Sequence, residues 1–188
     1  MAPMTLVLLD RDGVINFDSE NYIRSPEEWK PIPGSIKAIA RLKRAGFKVV
    51  VCTNQSGIAR GYYTACALSQ IHSKMHTLLS AYSVKLDKVY YCPHAPGDGC
   101  DCRKPAPGML LKALSDFPSP KAKTWFIGDS TRDMQAAIAA NCQPILVRTG
   151  NGAMNEEPVR ALGINEIHDN LESATDWLLG ADKPHQQN

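Results

Sequence analysis

Five short apolar runs, Thr5 to Leu9, Lys48 to Cys52, Lys88 to Tyr91, Thr124 to Ile127 and Pro144 to Val147, are separated by stretches whose apolar residues recur at helical spacing. The runs are rich in β-branched or aromatic residues and mostly continuous, the pattern of strands buried on both faces. Between them, Ile36, Ile39 and Ala40, then Leu68, Ile71, Met75, Leu78 and Leu79, then Met109, Leu110, Ala113 and Leu114, then Met134, Ala137 and Ile138 mark helical faces. Strands that alternate with helices require a parallel sheet covered on both faces, so the chain reads as an α/β, Rossmann-like fold. Gly46 after Lys43-Arg44-Ala45 carries the stop signals of the first helix, and a last helix is expected over 171–179. With 188 residues, 44% hydrophobic and 21% charged, the composition suits one domain, placed at 1–182. The 183–188 tail has too little apolar surface to offset its ordering entropy and is expected to be mobile. No insertion is long enough for a large cap domain, so loops must shape any binding site.

Several function classes fit poorly. A net charge of +2 without a basic stripe gives no reason to expect nucleic acid as a partner. No apolar run approaches a membrane span, and Met1-Ala2-Pro3-Met4-Thr5 lacks the charged start and apolar stretch of a secretory signal. No membrane association, a cytoplasmic location and a monomeric state are the expectations. His72 and His76 stand four residues apart on a helix, but with no Glu after the first and no third ligand they read as a solvated face. Trp29, Trp125 and Trp177 read as packing residues, and Cys52, Cys66 and Cys142 as small hydrophobes without chemistry.

The other three cysteines crowd into one loop. Cys92-Pro93-His94, five residues, then Cys100-Asp101-Cys102 offers three thiolates and an imidazole, the closed ligand set of a structural zinc site. The loop holds Pro93, Pro96, Gly97 and Gly99 and almost nothing apolar, so packing cannot order it, whereas a bound metal can. The alternatives are a reactive thiol cluster or, in an oxidising compartment, a disulfide pair.

Polar clusters follow four of the apolar runs: Asp10-Arg11-Asp12-Gly13, Thr53-Asn54-Gln55-Ser56-Gly57, Arg103-Lys104-Pro105 beyond the cysteine loop, and Gly128-Asp129-Ser130. Residues i and i+2 of an extended chain point the same way, so Asp10 and Asp12 can face one pocket at the carboxyl edge of the sheet, where such folds bind ligands. Singly, these are a solvated acidic turn, a turn cap, a surface charge and a helix cap. Together they supply a carboxylate pair, a hydroxyl with loop amides, two cations and a third carboxylate, the requirements of metal-assisted phosphoryl transfer. Ser130 to Asp133 fits a capping box, which leaves Asp133 equally a cap or a catalytic support.

This combination, in this order from Leu6 to about Thr149, resembles the haloacid dehalogenase superfamily of aspartate-nucleophile phosphatases. The resemblance implies that Asp10 forms an aspartyl-phosphate while Asp12 acts as general acid and base. It also implies that Mg²⁺ is held by Asp10, Asp129 and the backbone carbonyl of Asp12, that Thr53 and Asn54 grip the phosphoryl group, and that Lys104 neutralises it. Many members carry Lys where this chain has Ser130, so a local positive charge is missing.

Within the superfamily, a cysteine loop running into Cys102-Arg103-Lys104-Pro105 is similar to two branches, the heptose bisphosphate and the histidinol-phosphate phosphatases. The runs Asn54 to Gly61, Arg103 to Leu110 and Asp133 to Ala137 favour the first. That implies a sugar bisphosphate substrate in nucleotide-activated heptose and lipopolysaccharide core synthesis, contacted by Asp18, Ser19, Glu20, Asn21, Tyr22, Thr53, Asn54, Gln55, Ser56, Arg103 and Lys104. A rival of another class is a zinc-stabilised binding domain without turnover.

Overall fold

The computed structural model describes residues 4–181, and the expectation of a mobile 183–188 tail lies outside the described residues. The elements alternate as β1 (Leu6–Leu9), α1 (Ser35–Arg44), β2 (Lys48–Asn54), α2 (Ala65–Ser80), β3 (Lys88–Cys92), α3 (Gly108–Asp116), β4 (Thr124–Gly128), α4 (Thr131–Ala139), β5 (Gln143–Val147), α5 (Gly152–Ala161), β6 (Ile167–His168) and α6 (Leu171–Ala181). They form a six-stranded sheet in the order β3-β2-β1-β4-β5-β6. All neighbouring strands are parallel. The strand order therefore reverses at β1, and the crevice between β1 and β4 at their carboxyl ends is the topological switch point where such sheets take ligands.

Alternation along the strands explains the two layers. Val7, Leu9, Val49, Val51, Ile127 and Val147 point to one side, against Ile36, Ile39 and Leu42 of α1, Ile71 and Met75 of α2, and Leu171 and Leu178 of α6. Leu6, Leu8, Val50, Cys52 and Phe126 point to the other, against Met109, Leu110 and Ala113 of α3 and Ala136 and Ala137 of α4. β1 lies in register with both neighbours, Leu9 opposite Val51 and Ile127, so the loops after β1, β2 and β4 leave the sheet side by side.

The structure departs from the sequence reading in a few places. β3 is an edge strand rather than one buried on both faces, with Lys88 exposed and Tyr91 42% exposed. α5 and β6 carried no readable signal. α5 buries only Gly152 and Val159 and contains Pro158, and β6 is two residues long. Trp29 and Trp125 pack in the core as expected, whereas Trp177 lies at the surface beside the His168 ring. No helix among the described residues is long and apolar enough to cross a membrane.

Leu8 sits at the centre of the second layer and is fully buried. Leu8→Ala should cost about 2–5 kcal/mol, as large-to-small core changes do. Urea unfolding would show a lower midpoint at an unchanged slope, and a midpoint equal to wild type would contradict this packing.

Candidate active site

The turn after β1 is built around Arg11. Its carbonyl accepts the amides of Ile15 (2.8 Å) and Asn16 (3.2 Å), and Gly13 turns the chain at φ 80°. Asp10 continues the strand by donating its amide to Ile127, 2.9 Å away, and its carboxylate accepts the Arg11 amide at 2.7 Å. Lys104 Nζ lies 2.9 Å from Asp10 Oδ1 and 2.7 Å from Asp133 Oδ1. Lys104 is 2% exposed, so its charge depends on this pairing rather than on water.

Asn54, the last residue of β2, holds the Lys104 loop in place. Its side-chain amide donates to the Lys104 carbonyl and accepts the Lys104 amide, each at 3.1 Å. The Asn54 side chain is thus committed to the scaffold. Gln55 is likewise buried, donating to Asp12 at 2.8 Å and to Thr53 Oγ1 at 2.9 Å and accepting Tyr63 OH at 2.5 Å. Thr53 is buried at the cavity wall.

Asp129 follows β4 and fills a slot between two glycines. A Cβ on Gly13 or Gly150 would lie 2.1 or 2.2 Å from its Oδ2, and both glycines have positive φ, so neither position tolerates a side chain. The Asn151 amide donates to the same oxygen at 2.8 Å. Asp133 satisfies both of its sequence readings at once. Its Oδ2 closes the α4 capping box by accepting the Ser130 hydroxyl at 2.7 Å and amide at 3.1 Å, while Oδ1 pairs with Lys104.

Carboxylate oxygens of Asp10, Asp129 and Asp133 converge within 4.8 Å of one another. The side chain of Asp12 stands outside this group, turned toward Arg11, Asn16 and Gln55. Burial raises Asp10 well above the usual carboxylate range; Lys104 opposes the shift, and Asp133, Asp129 and Asp12 add to it. Burial and the Asp133 charge push Asp129 up to about 7. Burial works against the Lys104 charge, but Asp10 and Asp133 outweigh it and hold the ammonium above its ordinary value. Three carboxylates around one ammonium leave the floor electron-rich, with the hard oxygen donors that suit Mg²⁺.

A cavity of about 330 Å³ opens above this floor. Asp18, Ser19, Tyr22, Ser56 and Arg103 line it, together with Arg60, Arg132 and Asn151, which the sequence reading did not single out. Glu20 and Asn21 do not line it: Glu20 is exposed, and Asn21 belongs to a neighbouring groove. Tyr22 reaches the cavity through a left-handed backbone, φ 65°, and its ring packs on Tyr62 at 4.9 Å. Asn151 did carry a signal, because Thr149-Gly150-Asn151 is one more polar turn directly after a strand. His72, expected on a solvated face, is half-buried 3.3 Å from Arg11; burial and the Arg11 charge push it down to about 4.

Beside the cavity, β3 ends on Cys92 and the loop folds back so that Cys92, His94, Cys100 and Cys102 converge. Sγ of Cys92 lies 3.7 Å from Cys100, 3.1 Å from Cys102 and 3.5 Å from His94 Nδ1, which is 3.3 Å from Cys102. Ligands about 2.3 Å from a tetrahedral zinc stand about 3.8 Å apart, so the four atoms suit such an ion after small adjustments. The His94 carbonyl accepts Arg103 Nη1 at 3.3 Å and the Cys92 carbonyl accepts the Gln55 amide at 2.8 Å, which ties the loop to the cavity wall.

Comparison with known proteins agrees with this geometry. Residues 7–84 match the family model described as haloacid dehalogenase-like hydrolase, and residues 101–174 match a HAD-hydrolase-like model. The D-glycero-β-D-manno-heptose-1,7-bisphosphate 7-phosphatase of Pseudomonas aeruginosa is 51% identical over 159 residues, 85% of this chain and 86% of that protein. The enzyme of the same name from Escherichia coli K12 is 41% identical, with 93% and 88% covered. Among solved structures, the D,D-heptose 1,7-bisphosphate phosphatase of Bordetella bronchiseptica, complexed with magnesium and phosphate, superposes with a TM-score of 0.88 at 43% identity, covering 95% of this chain and 99% of that one. The chain belongs to the heptose-1,7-bisphosphate 7-phosphatase family of the haloacid dehalogenase-like hydrolases.

Proposed function

We propose that the chain hydrolyses the C7 phosphate of D-glycero-β-D-manno-heptose 1,7-bisphosphate, with Asp10 as nucleophile and Mg²⁺ as cofactor. The observation that carries this reading is the Asp10 carboxylate at the cavity floor, paired with buried Lys104 and converging with Asp129 and Asp133. Asp10 forms a bond to phosphorus as the bond from phosphorus to the C7 oxygen breaks, and Asp12, entering the step in its protonated form, gives its proton to that oxygen. Asp12 then takes a proton from the water that attacks the aspartyl-phosphate, which releases phosphate and frees Asp10. Thr53 Oγ1 accepts from Gln55, so its own proton is left to donate to a phosphoryl oxygen. Mg²⁺ held by Asp10, Asp129 and the Asp12 carbonyl would offset the repulsion between these carboxylates and a phosphate dianion.

The rim suits the rest of the substrate. Arg60, Arg103 and Arg132 face the cavity and supply cations for a second phosphate, while Asp18, Ser19 and Tyr22 offer polar contacts for sugar hydroxyls. The product would be a heptose 1-phosphate, the form that nucleotide activation for lipopolysaccharide core synthesis requires. Zinc in the Cys92, His94, Cys100 and Cys102 loop would be structural, ordering the segment that carries Arg103 and Lys104.

Phosphate release should be faster from a heptose 1,7-bisphosphate than from histidinol phosphate, with the β anomer preferred. Asp10→Asn should reduce turnover about a thousandfold or more at unchanged fold. Near-native activity in that variant would sink the covalent mechanism.

Stabilisation by Mg²⁺ should depend on pH with a definite sign. The raised pKa of Asp129, about 7, means the native metal-free site takes up a proton as pH falls through that value, and a cation must compete with it. The rise in Tm on adding Mg²⁺ should be full above this pKa and shrink toward pH 6. Equal shifts at pH 6 and pH 8 would contradict the assignment.

Cys100→Ser should lower bound zinc and reduce activity about tenfold through the loop that holds Arg103. A full equivalent of zinc in the purified variant would remove Cys100 from the ligand set.

A further inference from the structure

We infer that Arg11, the residue between the two aspartates, is the positioning residue for the proton-transferring carboxylate, and that His72 of α2 holds Arg11 in that role. Arg11 is 1% exposed although it stands in the sequence among the residues of the cavity floor. Its guanidinium lies along the Asp12 carboxylate, with Nε and Nη2 at 3.0 and 2.8 Å from Oδ1 and Nη2 at 3.0 Å from Oδ2. A planar guanidinium that meets a carboxylate with several donors fixes its direction as well as its charge. The same Nη2 reaches Gln55 Oε1 at 3.3 Å, and Gln55 Nε2 donates to Asp12 Oδ2 at 2.8 Å, closing a ring of three side chains. Asn16 adds a further donor to Oδ1 at 2.9 Å.

The remaining terminal nitrogen of Arg11, Nη1, meets His72 Nε2 at 3.3 Å. An imidazole facing a guanidinium at that distance accepts through Nε2 and carries its own proton on Nδ1. His72 is thereby used by the fold, unlike His76 on the exposed side of the same helix. The main chain of Arg11 serves the nucleophile as well, since its amide donates to Asp10 Oδ1 at 2.7 Å. One residue therefore directs both acids, Asp10 through its backbone and Asp12 through its side chain. Only the second link can be removed by substitution.

The inference rests on the proposed role of Asp12, and the test separates the two. A sugar phosphate leaves as an alkoxide that needs the Asp12 proton as its bond to phosphorus breaks. The p-nitrophenolate released from p-nitrophenyl phosphate is stable at neutral pH and leaves without it. Single-turnover rates of alcohol release should be measured for heptose 1,7-bisphosphate and of p-nitrophenol release for p-nitrophenyl phosphate. This confines the readout to the first chemical step.

In Arg11→Met the ratio of the sugar rate to the aryl rate should fall tenfold or more. Arg11→Lys, with a cation but no fork, should fall between that variant and wild type, and His72→Leu should shift the ratio in the same direction by a smaller factor. A role in folding alone would slow both substrates alike. An unchanged or raised ratio in Arg11→Met therefore overturns the inference; where that variant does not fold, an unchanged or raised ratio in Arg11→Lys overturns it equally. A wild-type protein without turnover of the bisphosphate would instead overturn the functional reading beneath it.

Discussion

The buried ammonium of Lys104 is the charge on which the site depends. Removing an ammonium from water costs several kcal/mol in a folded protein, and only close, well-oriented counterions recover it. Asp10 and Asp133 do so together, and each is fixed by a separate part of the chain, Asp10 by β1 and Asp133 by the first turn of α4. Lys104 therefore joins three segments far apart in sequence. Its own loop has little core to rest on, and it is held by the Asn54 side chain and by the neighbouring cysteine loop. The cysteine loop, the last residue of β2 and the α4 cap all converge on keeping one ammonium beside Asp10.

A different constraint, burial on both faces of the sheet, explains which parts of the fold were legible. Central strands flanked by helices on both faces must be continuously apolar, so β1, β2, β4 and β5 announced themselves, and the helices between them carried their period. Edge elements escape that requirement. β3 has polar residues in contact with water, β6 is supported by β5 and α6 rather than by its own composition, and α5 covers a corner with two buried residues. Their sequences are under weaker physical demand and carry weaker patterns.

Within the site, groups that end a strand could be read and groups that reach across the fold could not. Asp10, Thr53 and Asp129 come together because register aligns the ends of β1, β2 and β4, and register follows from the apolar runs, while Lys104 is tied to the end of β2 by Asn54. Arg11 looked like an ordinary charge between two acids, and nothing in its neighbours in sequence indicates that α2 and Gln55 enclose it. Tyr63, Arg60 and Arg132 likewise gain their meaning from the packing of loops. Glu20 and Asn21 lie near the right segment but do not line the cavity.

Two aspartates one residue apart are thus placed in unlike surroundings. Asp10 has one strong cation, a backbone amide and two further carboxylates nearby, which leaves it facing the cavity with charge that a cation must balance. Asp12 is surrounded by donors from Arg11, Asn16 and Gln55 and makes no contact with Lys104. Carboxyl groups in different environments can take different parts in one reaction, and here the environments differ although the two acids stand only two positions apart. A strand end that points both residues the same way would otherwise make them equivalent. The asymmetry comes from what the rest of the fold brings to each: the segment after the cysteine loop delivers Lys104 to the first, and α2 with the end of β2 encloses the second. The difference between the two acids is therefore a property of the tertiary structure, written onto a motif that is nearly symmetric in sequence.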